Sequence, residues 1–147
     1  MPVPQNVQTD YGIRIHCPGY ITPAEARAWF EDIKHKVLTL EGKPFGMLAD
    51  ARTQKANPPE TQEIVKESMV WLRGHGMERS VVVLDSTVAL IQILRLAKTS
   101  GVYAYERYLD ASKDPDWERR SLDWIIRAID PDLPVPAPVQ VQPRTVR

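Results

Sequence analysis

The chain is short of nearly everything that announces chemistry. It has one cysteine, Cys17, in 147 residues, which excludes an intramolecular disulfide framework and any multi-cysteine metal site. Neither charge sign is in excess, since 19 basic side chains face 19 acidic ones. A broad nucleic-acid footprint, which needs a basic face to displace counterions, is therefore not expected. No apolar run approaches the roughly 20 residues of a membrane span. The opening MPVPQNVQTD does not read as a signal peptide, so the expectation is a cytoplasmic chain. Neither GxGxxG nor GxxxxGK[ST] is present, and the three histidines, His16, His35 and His75, are widely spaced without metal-ligand partners. Neither a cofactor nor a metal is expected.

What is there suits one folded domain: 43% of residues are apolar and 26% charged. Five of the thirteen prolines fall in 131–147, where Pro134, Pro136 and Pro138 alternate with Val135 and Ala137. Such spacing removes backbone donors and favours an extended path, so 1–130 reads as the domain and 131–147 as a tail. That tail is either a loosely attached end or an arm across a partner subunit.

The domain opens with two short strand candidates, Val3–Gln8 and Tyr11–His16, joined by Thr9-Asp10, a link that permits only antiparallel pairing. Thr22-Pro23-Ala24-Glu25 is a capping box with proline at the first helical position. Ala26, Trp29, Phe30, Ile33, Val37 and Leu40 follow at helical spacing. Pro44–Ala49 reads as a buried strand. Asn57-Pro58-Pro59-Glu60 repeats the cap-proline-glutamate pattern ahead of a second helix with an inner stripe of Ile64, Val65, Met69 and Leu72. Ser80–Leu84, spelled SVVVL, predicts a central parallel strand covered on both faces. Asp85 or Ser86 caps a third helix so nearly apolar all round that it must be heavily buried or face a partner. Val102–Leu109 predicts a last strand with Tyr103, Tyr105 and Arg107 on one face. A fourth helix starts at Asp114-Pro115 and runs through Trp117, Leu122, Trp124, Ile125, Ala128 and Ile129. The order ββαβαβαβα predicts an α/β fold: a mixed, mostly parallel sheet with an antiparallel first strand and about four helices.

That order, the strand ending in Asp50-Ala51-Arg52, the Arg79-Ser80-Val81-Val82-Val83 strand, the tyrosine-rich strand and Leu122-Asp123-Trp124-Ile125 in the last helix together resemble STAS-like domains. The resemblance spans roughly residues 3–129 and is to the group related to bacterial anti-sigma-factor antagonists. In regulatory members the loop after this strand begins Asp-Ser-(Ser/Thr)-Gly and its serine is phosphorylated by a partner kinase. Here the stretch is Asp50-Ala51-Arg52-Thr53, with alanine in the serine's place and the Thr53 hydroxyl nearby. The resemblance thus implies binding-linked regulation without phosphorylation at the usual serine.

Nucleophiles and general bases are poorly placed. Cys17 follows His16, but adjacent strand residues point to opposite faces, and His75 sits in a helix-ending Gly74-His75-Gly76 turn. The acidic pairs Asp114/Asp116 and Asp130/Asp132 flank prolines at helix boundaries, the first suited to capping and the second to starting the tail. Ligands of open α/β sheets gather beyond the carboxyl ends of the parallel strands. That edge should carry Asp50, Arg52 and Thr53 from one loop and Asp85, Ser86 and Thr87 from the next, with Arg52 suited to a carboxylate or phosphate. In a plainer reading Asp85 and Ser86 are caps and Arg52 a surface ion pair. The expectation is a non-enzymatic regulatory or binding module that takes a partner protein or small ligand at these six residues. Three alternatives stay open. One is a carrier of a small apolar molecule, lined by the third helix and tryptophans Trp71, Trp117 and Trp124. The others are a homodimer subunit and a small enzyme using His75 or His16.

Overall fold

The structure is a computed structural model and describes residues 4–134. Its elements are β1 (Gln5–Thr9), β2 (Gly12–His16), α1 (Pro23–Leu38), β3 (Phe45–Asp50), α2 (Pro59–Gly74) and β4 (Met77–Leu84). They are followed by α3 (Thr87–Ser100), a 3₁₀ turn (Val102–Ala104), β5 (Glu106–Asp110) and α4 (Trp117–Arg127). The fold is α/β, as expected, with five strands in the sheet order β1-β2-β3-β4-β5. The β1–β2 pair is antiparallel and every other pair parallel. Because each parallel strand is added on the same side of the last, right-handed crossovers place α1, α2 and α3 on one face of the sheet. The final helix, α4, covers the other.

Two cores result. On the three-helix face Ile13, Ile15, Met47 and Ala49 meet Trp29, Phe30 and Ile33 of α1 and Ile64 and Leu72 of α2. On the opposite face Leu48, Val81, Val83 and Leu109 meet Trp124 and Ile125. The register sets this alternation: Ile13, Met47, Ser80 and Glu106 form one row across the three-helix face, and Ile15, Ala49, Val82 and Tyr108 the next.

Local chemistry explains most element ends. The Thr22 hydroxyl accepts from the Glu25 amide at 3.1 Å, and the Glu25 carboxylate accepts from the Thr22 amide at 3.0 Å, so the capping box forms. The first turn lies at Asp10-Tyr11 instead of Thr9-Asp10, because Thr9 pairs with Gly12 and its hydroxyl accepts from the Gly12 amide. Asn57 does not cap α2. Its side-chain oxygen accepts from the Ile21 amide at 3.1 Å, tying the two loops together, and Pro58 takes the cap position without a side-chain bond. Ser86, not Asp85, caps α3, accepting from the Ala89 amide.

Four expectations need correction. The segment from Val102 is not strand throughout: Gly101 adopts a left-handed conformation with φ of 85°, the chain turns through 102–104, and the strand begins only at Glu106. α4 starts at Trp117, because Asp114 bonds the Asp116 amide and Arg120 instead of opening a helix. The third helix is not buried within the chain, which corrects one arm of the expectation for it and leaves the other, a helix that faces a partner. Only Ala97 is fully enclosed, while Val88, Ile91 and Leu96 are 66%, 51% and 69% exposed. The reason is position: α3 sits over β5, the last strand of the sheet, and no further described element covers it. For the same reason β4 is fully covered on one face only, with Val81 and Val83 enclosed and Val82 and Leu84 partly open. Among the described residues, no helix is long and apolar enough to cross a membrane. The tail from 135 onward lies outside the described residues, while its start is anchored: Asp130 accepts from Arg107 at 2.8 and 3.0 Å, and Asp132 from the Tyr103 hydroxyl.

Candidate functional site

The carboxyl edge of the parallel strands brings together four of the six residues singled out there. Asp50, Arg52, Thr53 and Asp85 line a shallow depression with His16 and Trp117. Asp50 ends β3 and is buried, whereas Arg52 lies on the loop that follows. The Arg52 guanidinium folds back onto Asp50 through two bonds, at 2.9 and 2.8 Å, and lies over the Trp117 ring at 4.6 Å. Burial alone would raise the Asp50 pKa, but the bonds from Arg52 outweigh it and hold the carboxyl below its ordinary value. Arg52 is therefore already paired, and its charge is not free for an incoming carboxylate or phosphate. Thr53 reaches only the Cys17 carbonyl, at 3.4 Å. Ser86 and Thr87 are diverted: Ser86 caps α3, and the Thr87 hydroxyl donates to Asp110 at 2.6 Å.

The other candidates resolve simply. His75 is the C-cap of α2, its ring stacked on Trp71 at 3.8 Å with Nδ1 against the Trp71 carbonyl oxygen at 2.7 Å. His16 is exposed, with Nδ1 3.9 Å from Asp50. The Cys17 thiol is pushed up to about 12 by burial and by the neighbouring Asp50, so it stays protonated and unreactive at neutral pH. No group of three or more potential metal ligands occurs among the described residues.

The more informative feature lies inside the three-helix face. A cavity of about 220 Å³ opens there, with Ile15, Met47, Ala49 and Val82 as its floor and Trp29, Met69 and Ile93 as walls from α1, α2 and α3. Its origin is architectural. No Cα of α2 comes within 8 Å of a Cα of α3, so two helices that cross over neighbouring strands leave a gap between them. Small side chains deepen it, since the floor at Ala49 and the rim at Ala51 carry only methyl groups. Trp29 is fixed as a wall by Asn6, whose side-chain oxygen accepts from the indole nitrogen at 2.6 Å. Ala51 faces this cavity, while its neighbours Asp50 and Arg52 face the polar depression. One loop thus borders both.

One acidic side chain interrupts the apolar lining. Glu106, 5% exposed, accepts from the Ser80 hydroxyl at 2.7 Å in the adjacent strand. Burial raises its pKa, and hydrogen bonds from Ser80 and Tyr108 offset part of the rise. Sequence reading missed this residue. The available signal was a glutamate within VYAYERYL, on the opposite alternation from Arg107 and so facing the helices.

Neither a family model, nor a curated protein, nor a solved structure matches the chain.

Proposed function

We propose that the protein is a non-enzymatic binding module of STAS-like architecture that holds a small, largely apolar ligand between its sheet and helices α1–α3. One observation carries this reading: an apolar cavity lies beneath a helix whose own apolar residues are left unburied. Ligand sites are typically concave and apolar, with a few placed polar groups. A ligand here would fill the gap between α2 and α3 and add apolar contact to Ile93 and Val82. Occupancy would then be felt at α3 and, through Ala51, at the 50–53 loop, which gives the binding event an outlet at the surface. The same loop as a docking site for a partner protein draws less support, because Arg52 is already engaged by Asp50 and Trp117.

The test is thermal unfolding with 1-hexanol as an apolar probe. At ten times its dissociation constant the probe should stabilise the fold by about 1.4 kcal/mol and raise Tm by roughly 3 °C. Ala49→Leu, which fills the floor, should abolish the shift, and Arg52→Ala should leave it in place. A wild-type Tm unmoved by the probe, or an equal shift in Ala49→Leu, would overturn the reading.

A further inference from the structure

We infer that Glu106 is the polar anchor of the cavity and that the ligand it selects is a small aliphatic amine, an apolar body ending in a protonated nitrogen. This rests on the cavity reading above and sharpens it to a ligand class. The carboxyl stands in the row Ile13, Met47, Ser80 and Glu106, on the cavity side of the sheet. Its neighbours there are hydroxyls, Ser80 across the strand pair and Tyr108 two residues along. Ser80 donates to it at 2.7 Å, so the site is built around an acceptor that still has lone-pair capacity for further donors.

What the carboxyl lacks is a cation. Among the described residues no lysine or arginine forms an ion pair with it; the nearest in sequence, Arg107, points to the opposite face and pairs with Asp130. None of the cations on the facing helices pairs with it: Arg27 and Lys36 of α1 pair with Glu67 and Asp32, and Lys66 of α2 and Arg95 of α3 are exposed. Lys34 of α1 sits over Phe30 and pairs with Glu31; Arg73 of α2 lies over Tyr105 and donates to the Met77 carbonyl; Lys98 of α3 lies over Tyr103. A buried carboxylate without a countercharge is costly, and the cavity is the direction from which one can arrive. An ammonium group supplies the missing charge and up to three donors at once. An alcohol supplies one donor and no charge, and a fatty carboxylate adds a like charge. The expected order of affinity is therefore amine, alcohol, carboxylate.

Isothermal titration of the full chain at neutral pH with n-hexylamine, 1-hexanol and hexanoate tests this. Hexylamine should bind about tenfold more tightly than 1-hexanol, the worth of one charge-assisted hydrogen bond over a neutral one, with hexanoate weakest. Glu106→Gln should erase the amine's advantage over 1-hexanol, whatever it does to the absolute affinities. If 1-hexanol binds the wild type and hexylamine binds no more tightly, the assignment of Glu106 is wrong and the cavity reading survives. The assignment is equally wrong if Glu106→Gln keeps the tenfold preference. If none of the three probes binds, the cavity reading falls and this inference falls with it. The wild-type comparison decides the matter even if the variant folds poorly.

Discussion

Two carboxyl groups of almost equal solvent exposure show how depth and neighbours decide what an acid can do. Asp50 and Glu106 are 4% and 5% exposed, yet one is held below its ordinary pKa and the other above it. Arg52 supplies charge and two bonds to Asp50, whereas Glu106 sits deeper in the protein and has only hydroxyls. The consequence for stability follows from proton binding. Because the Glu106 pKa is raised on folding, the folded chain holds its proton more tightly than the unfolded chain does. Stability from this group is complete below its ordinary value of 4.5 and is lost as pH rises through the folded value. Glu106→Gln has no such dependence. The Tm of wild type relative to Glu106→Gln should therefore fall as pH is raised from about 4.5 towards 8, and melts at intervals across that range would show it. The Asp50 pair has the opposite slope and acts below its ordinary 3.8, in both proteins alike, so it does not confuse the comparison. A pH-independent difference would show that Glu106 does not titrate in this window. Sequence reading located Asp50 and Arg52 because position after a parallel strand is topological. That Arg52 folds back onto Asp50 is a rotamer choice, stabilised by Trp117 from 65 residues away, and no local pattern encodes it.

At the scale of elements, what was legible is what neighbouring residues settle among themselves. The α1 capping box is four consecutive residues whose bonds close on one another. The same pattern before α2 misleads because Asn57 is claimed by Ile21, 36 residues earlier. The close fit of α4 to the sheet is equally non-local. A side chain at Gly46 would place its Cβ 2.1 Å from the Ile125 Cγ2 atom, so glycine is required there for packing against a helix that follows almost eighty residues later. Ile125 is buried and β-branched, with little room to move aside. Gly46→Ala should destabilise the fold by roughly 1–3 kcal/mol, the usual range for overpacking a close-fitted core. Chemical denaturation would read this as a lowered midpoint with an unchanged slope. A shift below about 0.5 kcal/mol, the usual range for a surface substitution, would mean that α4 can lift from the sheet at little cost.

For the molecule as a whole, the consequence of sheet order is an uneven distribution of stability. Strands β3 and β4 lie at the centre, with β3 buried throughout, whereas α3 rests at the β5 edge with one enclosed residue. The apolar pattern of α3 alone suggested a core or interface helix. Hydropathy reports what a helix could bury, whereas the edge position of β5 decides what it does bury, and that depends on the absence of a following crossover. Elements with few enclosed apolar groups open locally at lower free energy than the global transition. Amide hydrogen exchange should accordingly show α3 exchanging well before β3 and β4, in the free protein at neutral pH. Addition of n-hexylamine or 1-hexanol, lodged between α2 and α3, should slow exchange in α3 by the factor that binding stabilises the closed form, about tenfold at ten times the dissociation constant. Exchange in α4, on the opposite face, should move only as far as global stability does. Protection of α3 in the free protein equal to that of β3 would show that its exposed apolar residues do not weaken it. The link drawn between cavity occupancy and α3 would then have no mechanical basis.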